Sequence, residues 1–190
     1  MISPIGIFDS GLGGFTVLNR LLNCYGDVPC VYLGDTARLP YGNKETAEIR
    51  QIAKEVINWL TDKKISLVVV ACNTTNSLAL DVIYDFCEVP VFDLIGSATE
   101  MIHENRIGIL STPATAASNA YSKNIKQRKP GTFVIEQACP AFVPMIEAEE
   151  FNSDDFRRIA IQYLKPLLSQ NVEAIVLGCS HYPLLEKLFM

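Results

Sequence analysis

Two stretches of this chain share one plan, and that repetition limits the folds open to it. Leu67-Val68-Val69-Val70-Ala71 runs out into Cys72-Asn73-Thr74, and Ala174-Ile175-Val176-Leu177-Gly178 runs out into Cys179-Ser180-His181. Upstream of each, at nearly the same spacing, Ile5-Gly6-Ile7-Phe8 ends in Asp9-Ser10, and Ile107-Gly108-Ile109-Leu110 ends in Ser111-Thr112. Short apolar runs bounded by polar turns read as buried strands. A unit repeated with its polar strand ends intact implies two similar α/β halves, related by a pseudo-two-fold axis, with one cleft between them.

The remaining pattern fits that frame. Further strand-like runs stand at Val31 to Leu33, Val89 to Leu94 and Phe133 to Ile135, and helical patterns lie between them. Alternation of apolar strands with helices predicts parallel sheets covered on both faces. The clearest helix is predicted over Asn43 to Thr61, where Ile49, Ile52, Ala53, Val56, Ile57 and Leu60 recur at helical spacing. Another is predicted over Asp154 to Leu168, with Ser153 as its N-cap. The expected division is a first α/β domain over residues 1–96 and a second over residues 97–190.

Composition narrows the function classes. Of 190 residues, 49% are hydrophobic, which excludes disorder, and the net charge of −5 comes without a basic tract that could neutralise phosphates. Nucleic acid is therefore not expected as a direct partner. No apolar run is long enough to span a bilayer, and the opening Met1-Ile2-Ser3-Pro4 lacks a basic signal-peptide region, so a cytoplasmic protein without membrane contact is expected. The six cysteines show no metal-type or disulfide spacing and read as free thiols. Cys24, Cys30, Cys87 and Cys139 read as packing residues.

Ligands of open α/β sheets bind beyond the carboxyl ends of the strands. Asp9-Ser10-Gly11, Pro40-Tyr41-Gly42, Cys72-Asn73-Thr74, Thr112 with Thr115, and Cys179-Ser180-His181 all fall there. Helix N-termini, hydroxyls and an amide are donors suited to carboxylates. Two thiols facing one carbon acid can remove a proton from one side and supply one from the other, which inverts the centre. Asp9 and His181 are suitable neighbours to tune them. The same residues leave other readings open: a cysteine hydrolase using one thiol with His181 as base, a metal site from Cys72, Cys179, His181 and Asp9, or a protein that only binds.

A resemblance then sharpens the choice. The strings Phe8-Asp9-Ser10-Gly11-Leu12-Gly13-Gly14, Tyr32 through Gly42, Ala71-Cys72-Asn73-Thr74, Ala138-Cys139-Pro140 with Val143-Pro144 and Glu147, and Leu177 through Leu185 together resemble the glutamate racemases, in that family's order and over the whole chain. The resemblance implies interconversion of L- and D-glutamate by two cysteines without a cofactor or metal, supplying D-glutamate for peptidoglycan, by a cytoplasmic homodimer. It implies that Cys72 acts on the D-enantiomer with Asp9 as partner, and Cys179 on the L-enantiomer with His181 and Glu147 as partners. Ser10, Tyr41, Gly42, Asn73, Thr74, Thr112 and Ser180 would hold the substrate.

The chain also departs from the pattern. Ser180 replaces the usual threonine, Ser111 stands where glycine is frequent, and Thr75-Asn76 stand where small residues are usual. The family continues beyond the His-Tyr-Pro motif to complete the first domain, so an incomplete first domain is expected, with Leu184, Leu185, Leu188 and Phe189 leaving an apolar patch that makes the chain unstable or makes it associate. Impaired catalysis, with binding of glutamate or of a protein partner in its place, is the alternative this departure raises.

Overall fold

The computed structural model describes residues 3–189; the expectations that rest on Met1, Ile2 and Met190 lie outside them. The chain begins β1 (Ile5–Asp9), α1 (Phe15–Tyr25), β2 (Cys30–Gly34), α2 (Thr46–Thr61), β3 (Leu67–Val70), α3 (Asn73–Phe86), β4 (Val91–Asp93) and α4 (Leu94–Glu100). It continues β5 (Arg106–Ser111), α5 (Pro113–Ser118), α6 (Ala120–Arg128), β6 (Phe133–Ala138), α7 (Phe142–Glu147), α8 (Asp154–Ser169), β7 (Ala174–Gly178) and α9 (Glu186–Phe189).

Two parallel sheets result, ordered β2-β1-β3-β4 and β6-β5-β7. The first three strands of one correspond to the strands of the other. Ile5 pairs with Cys30 and Leu67, as Ile107 pairs with Val134 and Ala174. The correspondence extends past the strand ends. The Asp35 N–H bonds the Asp9 carbonyl at 3.0 Å, and the Cys139 N–H bonds the Ser111 carbonyl at 2.8 Å. The fold is therefore the expected pair of parallel-sheet α/β domains. In each sheet the order reverses around the central strand, which opens a crevice at its carboxyl end, and Asp9, Cys72, Thr112 and Cys179 all stand at such ends.

Packing follows from periodicity. α2 turns Ile49, Ile52, Ala53, Val56, Ile57 and Leu60 into a core with Phe8, Val68 and Val70. On the other side, Phe156, Ala160 and Leu167 of α8 pack with Phe142 and Tyr182. Ser153 caps α8 by accepting from the Phe156 N–H at 3.1 Å, and that bond satisfies one of the donors a helix start leaves open. Ile95 of α4 joins the second half's cluster with Ile107, Ile109, Tyr121 and Ile125.

Three local expectations are corrected. The run Val89 to Leu94 is a strand only over Val91–Asp93: the Asp93 carboxylate accepts from the Gly96 N–H at 2.5 Å, and that cap starts a helix at Leu94. Helix α2 begins at Thr46, because Tyr41–Asn43 form a separate 3-10 turn and Lys44 is extended. Cover on both sheet faces holds at the centres and fails at the edges, where β2 and β6 are half-buried and α1 buries no residue completely. Among the described residues, no helix is long and apolar enough to cross a membrane.

Candidate active site

Asp9 ends β1 with its carboxylate wholly buried and both oxygens used. One accepts from the Gly11 N–H at 2.9 Å; the other accepts from the Ser180 hydroxyl at 3.0 Å, which ties the first half to the second. A side chain at Gly13 could not coexist with that contact. A Cβ there would sit 2.4 Å from His181 Nδ1 and 2.5 Å from Ser180 Oγ. Thr16 strengthens the junction by donating to the Ser180 carbonyl at 2.9 Å.

Cys72 is the N-cap residue of α3, so its sulfur stands where the helix presents open N–H groups. Asn76 holds this turn. Its amide nitrogen donates to the carbonyls of Val70 and Cys72, each at 2.7 Å, and its oxygen accepts from the Leu94 N–H at 2.9 Å. Cys179 has a different setting, a thiol followed by an imidazole. His181 Nδ1 lies 3.8 Å from Cys179 Sγ, and His181 Nε2 lies 2.5 Å from Glu147 Oε1 at the end of α7. A carboxylate on Nε2 fixes the proton there and leaves the Nδ1 lone pair toward the thiol. The trio can then accept and return the thiol proton.

Hydroxyls and an amide close the space between the halves. Thr74 Oγ1 meets Thr112 Oγ1 at 3.1 Å, Thr112 Oγ1 meets Thr115 Oγ1 at 3.0 Å, and the Tyr121 hydroxyl donates to Asn73 Oδ1 at 2.7 Å. Gly42 lets the Tyr41–Asn43 turn approach Thr112, since a Cβ at that glycine would lie 2.8 Å from Thr112 Cβ. The cleft so bounded holds about 500 Å³ of empty space including its opening, and both Cys72 and Cys179 line it. Among the described residues, no lysine or arginine does. An anionic ligand would be met by N–H, hydroxyl and amide donors.

A family profile described as Asp/Glu/Hydantoin racemase matches residues 16–189. The chain belongs to that racemase family. It is 60% identical over 184 residues to the glutamate racemase of Synechococcus sp. (strain CC9605), an alignment covering 97% of this chain and 69% of the relative. It is 54% identical over 181 residues to the glutamate racemase of Prochlorococcus marinus (strain NATL2A), covering 95% and 68%. Among solved structures, the glutamate racemase of Francisella tularensis in complex with D-glutamate superposes with a TM-score of 0.95 at 35% identity, covering 97% of this chain and 71% of that one.

In this member of the racemase family, burial pushes both cleft thiols up. For Cys72 the Asp9 carboxylate adds to the rise, while the Thr75 hydroxyl and N–H and the Ser10 hydroxyl oppose it. For Cys179 the His181 N–H opposes the rise and Asp9 adds to it. Cys139 also lines the cleft, and burial raises its thiol to about 12. Each thiol thus rests protonated and depends on a nearby donor to ionise.

The structure brings Ser10, Tyr41, Gly42, Cys72, Asn73, Thr74, Thr112, Cys179, Ser180 and His181 to the cleft wall. Asp9 and Glu147 stand behind it, bonded to Ser180 and His181. Several of these groups are already committed. The Tyr41 hydroxyl donates to Asp35, the Ser180 hydroxyl to Asp9, and Asn73 Oδ1 to Tyr121, so Asn73 offers a ligand its amide N–H groups. Sequence reasoning gave no site role to Asp35, although it stands in the Tyr32 to Gly42 string, nor to Asn76, noted only as a departure, nor to Tyr121, which lies outside every string. A polar residue three positions into α3 was the available signal for Asn76. Among the described residues, no group of three or more His, Cys, Asp or Glu is placed to hold a metal ion.

Proposed function

We propose that the chain interconverts L- and D-glutamate by passing a proton across the cleft between Cys72 and Cys179. The observation that carries this reading is that both thiols, delivered by corresponding strands β3 and β7, line one small cleft. With D-glutamate bound, Cys72 as thiolate takes the α-proton, and Cys179 as thiol, released toward ionisation by His181 and Glu147, delivers a proton to the opposite face. With L-glutamate the roles exchange. The N–H groups of Asn73, the hydroxyls of Ser10, Thr74 and Thr112, and the Tyr41-Gly42 turn hold the substrate, and their fixed dipoles favour the charge that builds up on its α-carboxylate. Ser180, whose O–H is given to Asp9, has only its oxygen to offer the substrate ammonium. Asp9 serves Cys72.

Support also comes from the relatives, which are glutamate racemases across nearly the whole of this chain. The reading extends to supply of D-glutamate for peptidoglycan in the cytoplasm, to a division at residues 1–96 and 97–190, and to a homodimer. Circular dichroism of L- and of D-glutamate, each incubated with the protein and no added cofactor, tests the activity. Decay of both signals toward zero, lost in Cys72→Ala, is the expected result; flat signals with a folded protein would overturn the reading.

A further inference from the structure

Thr75 is wholly buried in the first turn of α3, yet its hydroxyl has no hydrogen-bond partner among the described residues. A buried hydroxyl without a partner is costly, so its surroundings matter. Cys72 is the N-cap residue of α3 and Thr75 lies three residues on, the relation in which a cap side chain and the third helical residue meet. The same molecule shows that relation completed in its second half. Thr112 caps α5, and its Oγ1 meets both the Thr115 N–H, at 3.3 Å, and Thr115 Oγ1, at 3.0 Å. Cys72 and Thr75 repeat Thr112 and Thr115 with sulfur in place of the cap oxygen.

We propose that Thr75 is a positioning residue for Cys72, its buried hydroxyl kept without another partner so that it donates to the Cys72 sulfur when that sulfur becomes a thiolate. A neutral thiol is a weak acceptor, and a thiolate is a strong one. The hydroxyl therefore has little to bond in the resting site and gains a bond as the base forms. The direction of its effect on Cys72, opposing the rise caused by burial, agrees with this. The two halves then ionise their thiols through different groups. Cys179 has His181 beside it, backed by Glu147, and its own third neighbour is turned away, the Tyr182 hydroxyl donating to the Cys139 carbonyl at 3.3 Å.

The inference rests on the reading of Cys72 as a catalytic base, but its test does not need turnover. The rate of iodoacetamide labelling of Cys72, resolved from the other cysteines by peptide mass, is measured against pH in the intact protein and in Thr75→Val, Thr75→Ala and Thr75→Ser. In Thr75→Val the Cys72 midpoint should move up by about one to two pH units, as loss of a hydrogen bond to a charged group implies. The Cys179 midpoint should stay in place, and Thr75→Ser should restore that of Cys72. Thr75→Ala gives the same reading if valine prevents folding. An unchanged Cys72 midpoint in a folded valine or alanine variant overturns the proposal, as does an equal shift at Cys179. Absence of glutamate racemisation in the intact protein, with the midpoint shift present, would instead count against the function.

Discussion

The Tyr121 hydroxyl, on α6 in the second half, donates a 2.7 Å hydrogen bond to Asn73 Oδ1, the residue after Cys72 in the first. Both groups are buried, so the bond decides which end of the Asn73 amide faces the cleft, and it presents N–H donors. Tyr121→Phe frees the amide to turn its oxygen toward a carboxylate. The expected outcome is a rise in KM for both glutamate enantiomers on the order of tenfold, with a smaller change in kcat, measured by steady-state racemisation. A change in kcat alone would show that Asn73 is not a ground-state carboxylate contact.

Glu147 matters through the tautomer it sets. As a carboxylate within 2.5 Å of His181 Nε2 it accepts that proton and leaves Nδ1 free to accept from Cys179. Glu147→Gln keeps the shape but can offer an N–H instead, which pulls the ring toward the wrong tautomer. Turnover should fall on the order of a hundredfold with the melting temperature nearly unchanged. Equal activity in the glutamine variant would remove His181 from the chemistry.

How much of this was legible beforehand varied with the kind of interaction. Cys72, Cys179, Asp9 and His181 could be read because strand ends are set by hydrophobic runs, and a run followed by a polar residue fixes the place of that residue in an α/β sheet. Tyr121 and Asp35 could not. Tyr121 meets Asn73, 48 positions away, and no local spacing encodes such a pair; Asp35 meets Arg38 and Tyr41 close by, through two short turns that no hydrophobic periodicity marks. Leu94 was misread because apolar residues suit strand and helix alike, and a cap from Asp93 decided between them. Glu147 was found only through the resemblance; its neighbours Glu149 and Glu150 make it look like surface charge.

The pH dependence follows from burial. Both thiols are pushed above their ordinary range, so at neutral pH each is mainly protonated, and only a thiolate can take the α-proton. The ionised fraction grows with pH. The logarithm of kcat/KM should therefore climb between about pH 7 and about pH 9, with slope approaching one. A flat or falling profile over that interval would mean that a group other than a raised thiol is the base.

Apolar surface on α8 and beyond it bears on assembly. Ile161 and Leu168 are 65% and 61% exposed and share a groove with Leu164, and Leu188 adjoins Ile161, whereas Leu185, expected in the exposed patch, is instead buried in the second half's core. Contiguous exposure of this kind favours association. Light scattering should show mass rising above that of one chain with concentration, and Ile161→Asp with Leu168→Asp should reduce it. A single-chain mass at high concentration would sink the homodimer.

The two cysteines can be told apart only by an experiment that respects the symmetry of the reaction. L- and D-glutamate have equal free energy in water, so kcat/KM must be the same in both directions for any variant, and no substitution can silence one direction of racemisation alone. Isotope exchange escapes that constraint, because it reads removal of the α-proton without inversion. In deuterated water Cys179→Ala should still exchange the α-proton of D-glutamate through Cys72 while leaving L-glutamate untouched, and Cys72→Ala should do the reverse. Each should lose racemisation by about a hundredfold or more, with glutamate affinity little changed. Exchange of both enantiomers by one variant would assign that chemistry to a single base, and equal loss of binding in both variants would reduce the thiols to packing.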